Sequence, residues 1–370
     1  MLPAAPKDVG RLSDVFTSAL ASVGGSGENR LKLPKTRHSV VILVDGLGYE
    51  NVRKATAYAR FLNSKLTHSI RCEFPSTTAT SIAGFATGLR SGSHGLIGYS
   101  AFDRSTKGLK NLLTGWTSTP EAAEFKKRPA ISESPGEVEV FAIGPSSYET
   151  SGFTELTMKS AKYVSAQSIA ERFEKFGRLV RNHQATLSYL YIPELDQLAH
   201  RFGVESSQWL EALEDLDREV EKFINDLPAN VGVLLTADHG VLDVPVSNQI
   251  YLDEFDWFTE SVEYTAGDPR CNFVYLRESA DVKDVRAILE SSFGASAYIC
   301  DAEQLIASGW MSTISPAVGG LIPDLYIIWK DSVVAYDRRF AKESHLKMIG
   351  QHGAISDQET RVPLIRLGSY

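Results

Sequence analysis

One stretch of this sequence constrains its fold more than any other. Within His38-Ser-Val-Val-Ile-Leu-Val-Asp45 the residues from Val40 to Val44 are uninterruptedly apolar, with no polar alternation. A strand of that kind is buried on both faces, and such strands belong to parallel sheets with helices packed above and below. The same signature recurs at Thr186–Ile192, Val231–Ala237 and Leu321–Trp329. Helical patterns lie between several of them. From Ser207 to Leu227 the apolar residues Trp209, Leu213, Leu216, Val220, Phe223 and Leu227 step by three and four, which is one stripe of a helix. Ala161–Leu179 repeats the pattern through Val164, Ile169, Phe173 and Phe176. Alternating strands and helices predict an α/β fold with a mostly parallel central sheet and helices on both faces.

A chain of 370 residues is too long for one small core and too short for three domains of roughly 150 residues. After a polar, Gly- and Ser-rich leader around Gly24–Asn29, the alternation persists until about Phe255 and then changes character. Between Phe255 and Arg339 a short strand (Asn272–Leu276), a helix (Asp281–Phe293) and another short strand (Ala297–Asp301) are expected. We read residues 255–339 as a small α+β cap inserted into a core made of residues 1–254 and 340–370.

Charge and composition exclude several roles. Asp and Glu number 46 against 38 Lys and Arg, a formal charge of −8, and no basic run forms a stripe that tracks phosphates. A nucleic-acid polymer is therefore not the expected partner. The longest uncharged apolar run, Val40–Val44, falls far short of the roughly 18 residues of a membrane span. The first residues, Met1–Phe16, lack the basic start and apolar stretch of a secretory signal, so a cytoplasmic location is expected. Cys72, Cys271 and Cys300 show no Cys-x-x-Cys spacing, which predicts reduced, buried thiols.

In open α/β sheets ligands bind at the carboxyl ends of the strands. The first strand ends in Asp45-Gly46-Leu47-Gly48, where the carboxylate suits a helix cap as well as a metal ion. The second run leads into Pro193-Glu-Leu-Asp196-Gln-Leu-Ala-His200, whose Asp and His share one side if helical. The third ends in Asp238-His239-Gly240, and a late Gly350-Gln-His352-Gly353 adds a glycine-flanked imidazole. Phe74-Pro-Ser-Thr-Thr78-Ala-Thr-Ser81 is a hydroxyl-rich turn entering a short helix, a place that holds phosphate or merely caps the helix.

In their order, these motifs resemble the alkaline phosphatase superfamily, and most closely its nucleotide pyrophosphatase/phosphodiesterase branch. The resemblance spans Val40 to Gly353. It implies a hydrolase with two divalent ions, zinc first and manganese or iron as alternatives, since carboxylate and imidazole ligands suit several metals. One ion would sit on Asp45, Thr78, Asp238 and His239, the other on Asp196, His200 and His352, with Thr78 as nucleophile. Ser81 stands where the family commonly has an Asn that donates to phosphate, Ala199 where Gly is usual and Ala237 where Ser is usual. Two Zn²⁺ ions against three carboxylates and a Thr78 alkoxide leave a nearly neutral site, compatible with a phosphodiester monoanion.

The implied reaction is cleavage of a phosphodiester or nucleotide pyrophosphate bond through a covalent phospho-threonine. Ala79 follows Thr78 where monoesterase relatives hold a dianion with arginine, which favours a diester. Arg270 is either a phosphate arginine supplied by the cap or a surface residue at a strand start. Tyr148 and Phe153 are loop aromatics that stack on a base or pack locally. His94 reads as structural, and Cys72-Glu-Phe-Pro does not match the sulfatase frame. The alternatives are phosphonate hydrolysis of the phosphonoacetate hydrolase kind, a phosphomonoesterase, and a structural zinc protein. The expected partner is a small phosphorylated molecule, for instance a nucleotide, and no membrane.

Overall fold

The computed structural model describes residues 1–7, 9–116 and 128–370. Five strands, β1 (His38–Val44), β2 (Glu139–Gly144), β3 (Lys162–Ser165), β4 (Thr186–Ile192) and β5 (Val231–Thr236), run parallel in one sheet. Its spatial order is β5-β1-β4-β2-β3, and a C-terminal strand, Ile365–Gly368, lies antiparallel against β5 at the edge. Every residue of β1 and β5 is buried, so both faces of the sheet are covered, as the apolar runs require. The fold is α/β with a mixed, mostly parallel sheet.

Five helices matter for the site and its support: α1 (Thr78–Thr87), α2 (Ile169–Asn182), α3 (Glu194–Phe202), α4 (Ser207–Asn225) and α5 (Val282–Phe293). The stripe of α4 is the expected one, with Trp209, Leu213, Leu216, Val220 and Phe223 buried. Each such side chain contributes about 1.5–3 kcal/mol by leaving water. Ser206 caps this helix by accepting from the Trp209 N–H. The segment expected as a helix from Ala161 to Leu179 divides instead. Its start is the edge strand β3, and α2 begins only after Ser168, whose hydroxyl accepts from the Glu171 N–H. Phe173 of α2 then stacks on Phe223 of α4 with ring centroids 4.5 Å apart.

A second sheet is antiparallel throughout. It contains β6 (Val262–Asp268), β7 (Cys271–Leu276), β8 (Ala297–Cys300) and β9 (Leu325–Trp329) in the order β6-β7-β9-β8. This corrects the reading of Leu321–Trp329 as a parallel strand. Its apolar residues serve two cores: Tyr326 and Ile328 face the main one, while Leu325, Ile327 and Trp329 face a smaller one with Val285, Leu289 and Phe293 of α5. A strand sandwiched this way reads as continuously apolar whatever its direction. Among the described residues, no helix is long and apolar enough to cross a membrane. The three cysteines are free and buried.

The consequence for function lies in the register. β1 is hydrogen-bonded to both β4 and β5, pairing Val44 with Ile192 and Leu43 with Thr236. Three neighbouring parallel strands therefore end level with one another, and the residues just beyond them emerge at one place.

Candidate active site

Asp45 leaves the end of β1 and Gly46 follows with φ +71°, a conformation side chains avoid. A Cβ on Gly46 would lie 3.0 Å from Asp196 Oδ1, so the glycine also lets Asp196 approach. Asp196 and His200 are one turn apart on α3, with Oδ2 and Nε2 separated by 3.2 Å. Asp238 and His239 follow β5, and His239 Nε2 lies 3.3 Å from Asp45 Oδ1. Gly240 is needed there because a Cβ would stand 2.0 Å from the Gln358 carbonyl oxygen. The ring of His352 stacks on that of His239, with centroids 3.7 Å apart.

Two ligand groups result, Asp45/Asp238/His239 and Asp196/His200/His352, and in each the donor atoms lie within 4.8 Å of one another. Thr78 is the first residue of α1, with its Oγ1 3.2 Å from His239 Nε2. The structure thus brings together Asp45, Thr78, Asp196, His200, Asp238, His239 and His352. It does not bring Ser81 with them: that residue is fully buried on the side of α1 facing Cys72 and does not line the cavity described below. One turn after Thr78, Ile82 takes that position.

The donor set fits cations on three grounds. Asp45 Oδ1, Asp196 Oδ1 and Asp238 Oδ2 are buried with no hydrogen-bond donor, which is costly for a carboxylate unless a cation faces it. Each histidine points Nδ1 at a backbone carbonyl: His200 at Gly350 and His352 at Ser76, both at 2.8 Å, and His239 at Gly240 at 3.3 Å. A carbonyl only accepts, so Nδ1 carries the proton and Nε2 offers its lone pair, the usual outer support of a metal-binding imidazole.

Charge is the third ground. Burial would lower His239, but Asp238 and Asp45 override it and lift the imidazole to about 10. Burial likewise opposes the rise of His200, which Asp196 carries to about 9. Asp238 is raised well above the usual carboxylate range by burial and then by Asp45. His352, held well below its ordinary value by burial and by His239, is neutral. In each group carboxylate charge thus holds a proton on a histidine, and a cation would displace it.

Above the ligands opens a cavity of about 880 Å³, bordered by Asp45, Thr78, Asp196, His200 and His352. Tyr148, Phe153, Tyr163 and Tyr191 line one side, so the two aromatics expected near the substrate are at the cavity. Asp268, the last residue of β6, lies on its wall. Burial pushes the Asp268 carboxyl up to about 7. Arg270 is neither a phosphate ligand nor a surface residue. It is fully buried and paired with Glu359, Nη2 to Oε2 at 2.9 Å. His94 is buried outside the cavity, with Nδ1 accepting from the Leu96 N–H at 3.1 Å, and burial pushes it down to about 3.

Sequence reasoning missed Tyr191, whose hydroxyl donates to Asp45 Oδ2. The signal was available: Tyr191 stands opposite Leu43 in the β1–β4 register, at the same strand ends as Asp45. Asp268 and Glu359 carried none, because their partners are distant in the chain.

Solved structures share this architecture. The murine ectonucleotide pyrophosphatase/phosphodiesterase 5, in an inactive form in complex with AMP, superposes with a TM-score of 0.68 at 15% identity, covering 90% of this chain and 88% of that one. Its human counterpart gives 0.66 at 14% identity over 89% and 87%. Phosphonoacetate hydrolase from Sinorhizobium meliloti 1021, in complex with phosphonoacetate, gives 0.68 at 16% identity over 90% and 91%. At such identities the likeness speaks for the fold. No curated protein sequence matches this one. The sequence profile of the type I phosphodiesterase / nucleotide pyrophosphatase proteins, however, matches residues 39–355. On that match, which spans most of the chain and every ligand motif, the protein belongs to the type I phosphodiesterase / nucleotide pyrophosphatase family.

Proposed function

We propose that the protein hydrolyses a phosphodiester or nucleotide pyrophosphate bond, with Thr78 as nucleophile and two divalent ions, most simply zinc, at the two ligand groups. The observation that carries this reading is the meeting of both groups beside Thr78 under an aromatic-walled cavity of about 880 Å³. When bound, the ions would supply Lewis-acid charge that acidifies the Thr78 hydroxyl and offsets charge on the leaving oxygen.

The chain's own groups do the rest. Thr78 Oγ1 loses its proton to water in the cavity and bonds to phosphorus, while the bond to the leaving oxygen breaks in line with it and that oxygen takes up a proton from water. The N-terminus of α1 offers backbone N–H groups and the positive end of its dipole to the non-bridging oxygens. Water then attacks the phospho-threonine, the Oγ1–phosphorus bond breaks, and the hydroxyl is restored. Tyr148, Phe153, Tyr163 and Tyr191 present ring faces and edges to an organic substituent such as a nucleobase. The segment 255–339 acts as the cap, contributing Asp268 to the wall.

Phosphonate hydrolysis is the second reading, supported by the fold shared with phosphonoacetate hydrolase. Cavity size favours the larger substrate, since a two-carbon phosphonate would leave most of that volume as solvent. The test is zinc-restored hydrolysis of bis-p-nitrophenyl phosphate, p-nitrophenyl phosphate and phosphonoacetate by wild type and Thr78→Ala. Diester preference, lost in Thr78→Ala with metal content unchanged, is expected. Preference for the monoester or for phosphonoacetate would overturn the diester assignment. Unchanged turnover in Thr78→Ala would overturn the nucleophile.

A further inference from the structure

Arg270 and Glu359 lie 89 residues apart and form a fully buried, two-pronged ion pair. Arg270 Nε donates to Glu359 Oε1 at 3.1 Å and Nη2 to Oε2 at 2.9 Å, while Nη1 donates to the Lys330 and Val333 carbonyls in the turn that follows β9. On its other side the Glu359 carboxylate accepts from the Ala354 N–H at 2.9 Å and from the Ser356 hydroxyl at 2.6 Å. Ala354 is two residues beyond His352. The same loop is gripped from below by Ser76, whose Oγ donates to the Ala354 carbonyl at 2.7 Å and accepts from Gly353 N–H at 3.1 Å. The Ser76 carbonyl takes the His352 Nδ1 proton.

Arg270, Glu359 and Ser76 do not line the cavity. Burying such a pair brings no stability over apolar residues of similar volume, so its presence calls for another reason. What it touches supplies one: Gly353, at φ +131°, turns the chain directly after His352, and a loop so bent needs its N–H and carbonyl groups held at fixed points. We infer that the Arg270–Glu359 pair, acting with Ser76, is a positioning device that bolts the second sheet to the His352 loop and sets that imidazole in the Asp196/His200/His352 group. The inference rests on the two-ion reading above. It makes Arg270 and Glu359 positioning residues that act through His352 and never meet substrate.

The experiment is a cobalt(II) titration of the metal-stripped full chain, followed by visible absorption, with folding checked by near-ultraviolet circular dichroism and melting. Wild type is expected to bind two equivalents in two steps, and Asp45→Asn to weaken the step that belongs to the other group. Arg270→Met/Glu359→Met removes both charges at once and leaves none orphaned. In it the Asp196/His200/His352 step should weaken about 10- to 100-fold, the usual cost of losing outer support for a metal-binding imidazole. The other step should stay within about twofold of wild type on the same reasoning. Ser76→Ala, which leaves the ion pair intact, should weaken the same step, and Arg270→Lys, which keeps the charge but loses the two-pronged grip, should weaken it less than the double variant. If Arg270→Met/Glu359→Met fails to fold, Ser76→Ala and Arg270→Lys carry the test. Two unchanged steps, or both weakened alike, in folded variants would overturn the positioning role. Wild type that binds no cobalt would instead overturn the two-ion reading itself.

Discussion

Replacing Tyr191 with Phe tests how the first ligand group is held, because the change removes one oxygen atom and nothing else. The Tyr191 hydroxyl donates to Asp45 Oδ2, leaving Oδ1 without a donor and directed at the His239 side of the site. Burial, and then the Asp45 charge, raise the phenol well above its ordinary value, so the hydroxyl keeps its proton and remains a donor. A hydrogen bond to a charged group is worth about 1.5–3 kcal/mol, and about 1.4 kcal/mol is a factor of ten in affinity. The whole bond therefore corresponds to roughly 10- to 100-fold in ion affinity at the Asp45/Asp238/His239 group. Tyr191 borders the cavity, so water reaches the vacated position and the expected loss is the lower figure, about tenfold. A chromophoric chelator competing for zinc measures it directly. Catalysis should fall at limiting zinc and recover when zinc is in excess. Tyr163→Phe is the control, since that hydroxyl donates to the Pro145 carbonyl at 2.8 Å and touches no ligand. Zinc affinity unchanged in Tyr191→Phe, or lowered equally in Tyr163→Phe, would refute the argument.

Two further outcomes follow from the same geometry. Since His239 sits at about 10 and His200 at about 9 without metal, each group carries at least its histidine proton at neutral pH, which an ion must displace. Protons and ions compete for Nε2, so affinity should rise with pH, by about tenfold per unit at each group between pH 6 and 8. Calorimetry in two buffers of different ionisation enthalpy should show at least about one proton released per ion, and pH-independent binding would refute this. Gly240→Ala should lower the melting temperature, because its Cβ would meet the Gln358 carbonyl oxygen at 2.0 Å, an overpacking that costs about 1–3 kcal/mol or more. Gly319→Ala, with nothing within 4 Å of its Cβ, should melt like wild type, and equal melting of all three proteins would refute the steric reading.

How much of this was legible in the sequence depended on the range over which each feature is specified. The runs at β1, β4 and β5 could be read because a strand buried on both faces has no polar positions, and their boundaries came out within a residue. β2 went unread although its Val140–Ile143 stretch is apolar and buried, because a glutamate at Glu139 and a short length resemble a loop. β9 was read as a strand but as a parallel one, because Leu325–Trp329 packs apolar residues into two cores. Sequence patterns record burial, and burial does not say which sheet provides it.

The site divides along the same line. Asp45, Asp196, His200, Asp238 and His239 are each specified within a few residues of a strand end, and level parallel strands turn those local positions into one cluster. Ser81 lies away from the cavity while its neighbour Ile82 borders it, and in a helix buried nearly all round no local pattern tells two adjacent positions apart. Arg270 failed for the opposite reason: an isolated arginine after Pro269 gives no sign that its partner is Glu359, 89 residues further on. On the two-ion reading the ligand motifs are local in sequence, whereas the groups that hold ligands still must come from whatever the tertiary structure packs behind them. Outer-sphere residues such as Tyr191, Ser76 and Glu359 therefore emerge only with the three-dimensional structure, and they are where variants that spare every ligand should still separate one ion from the other.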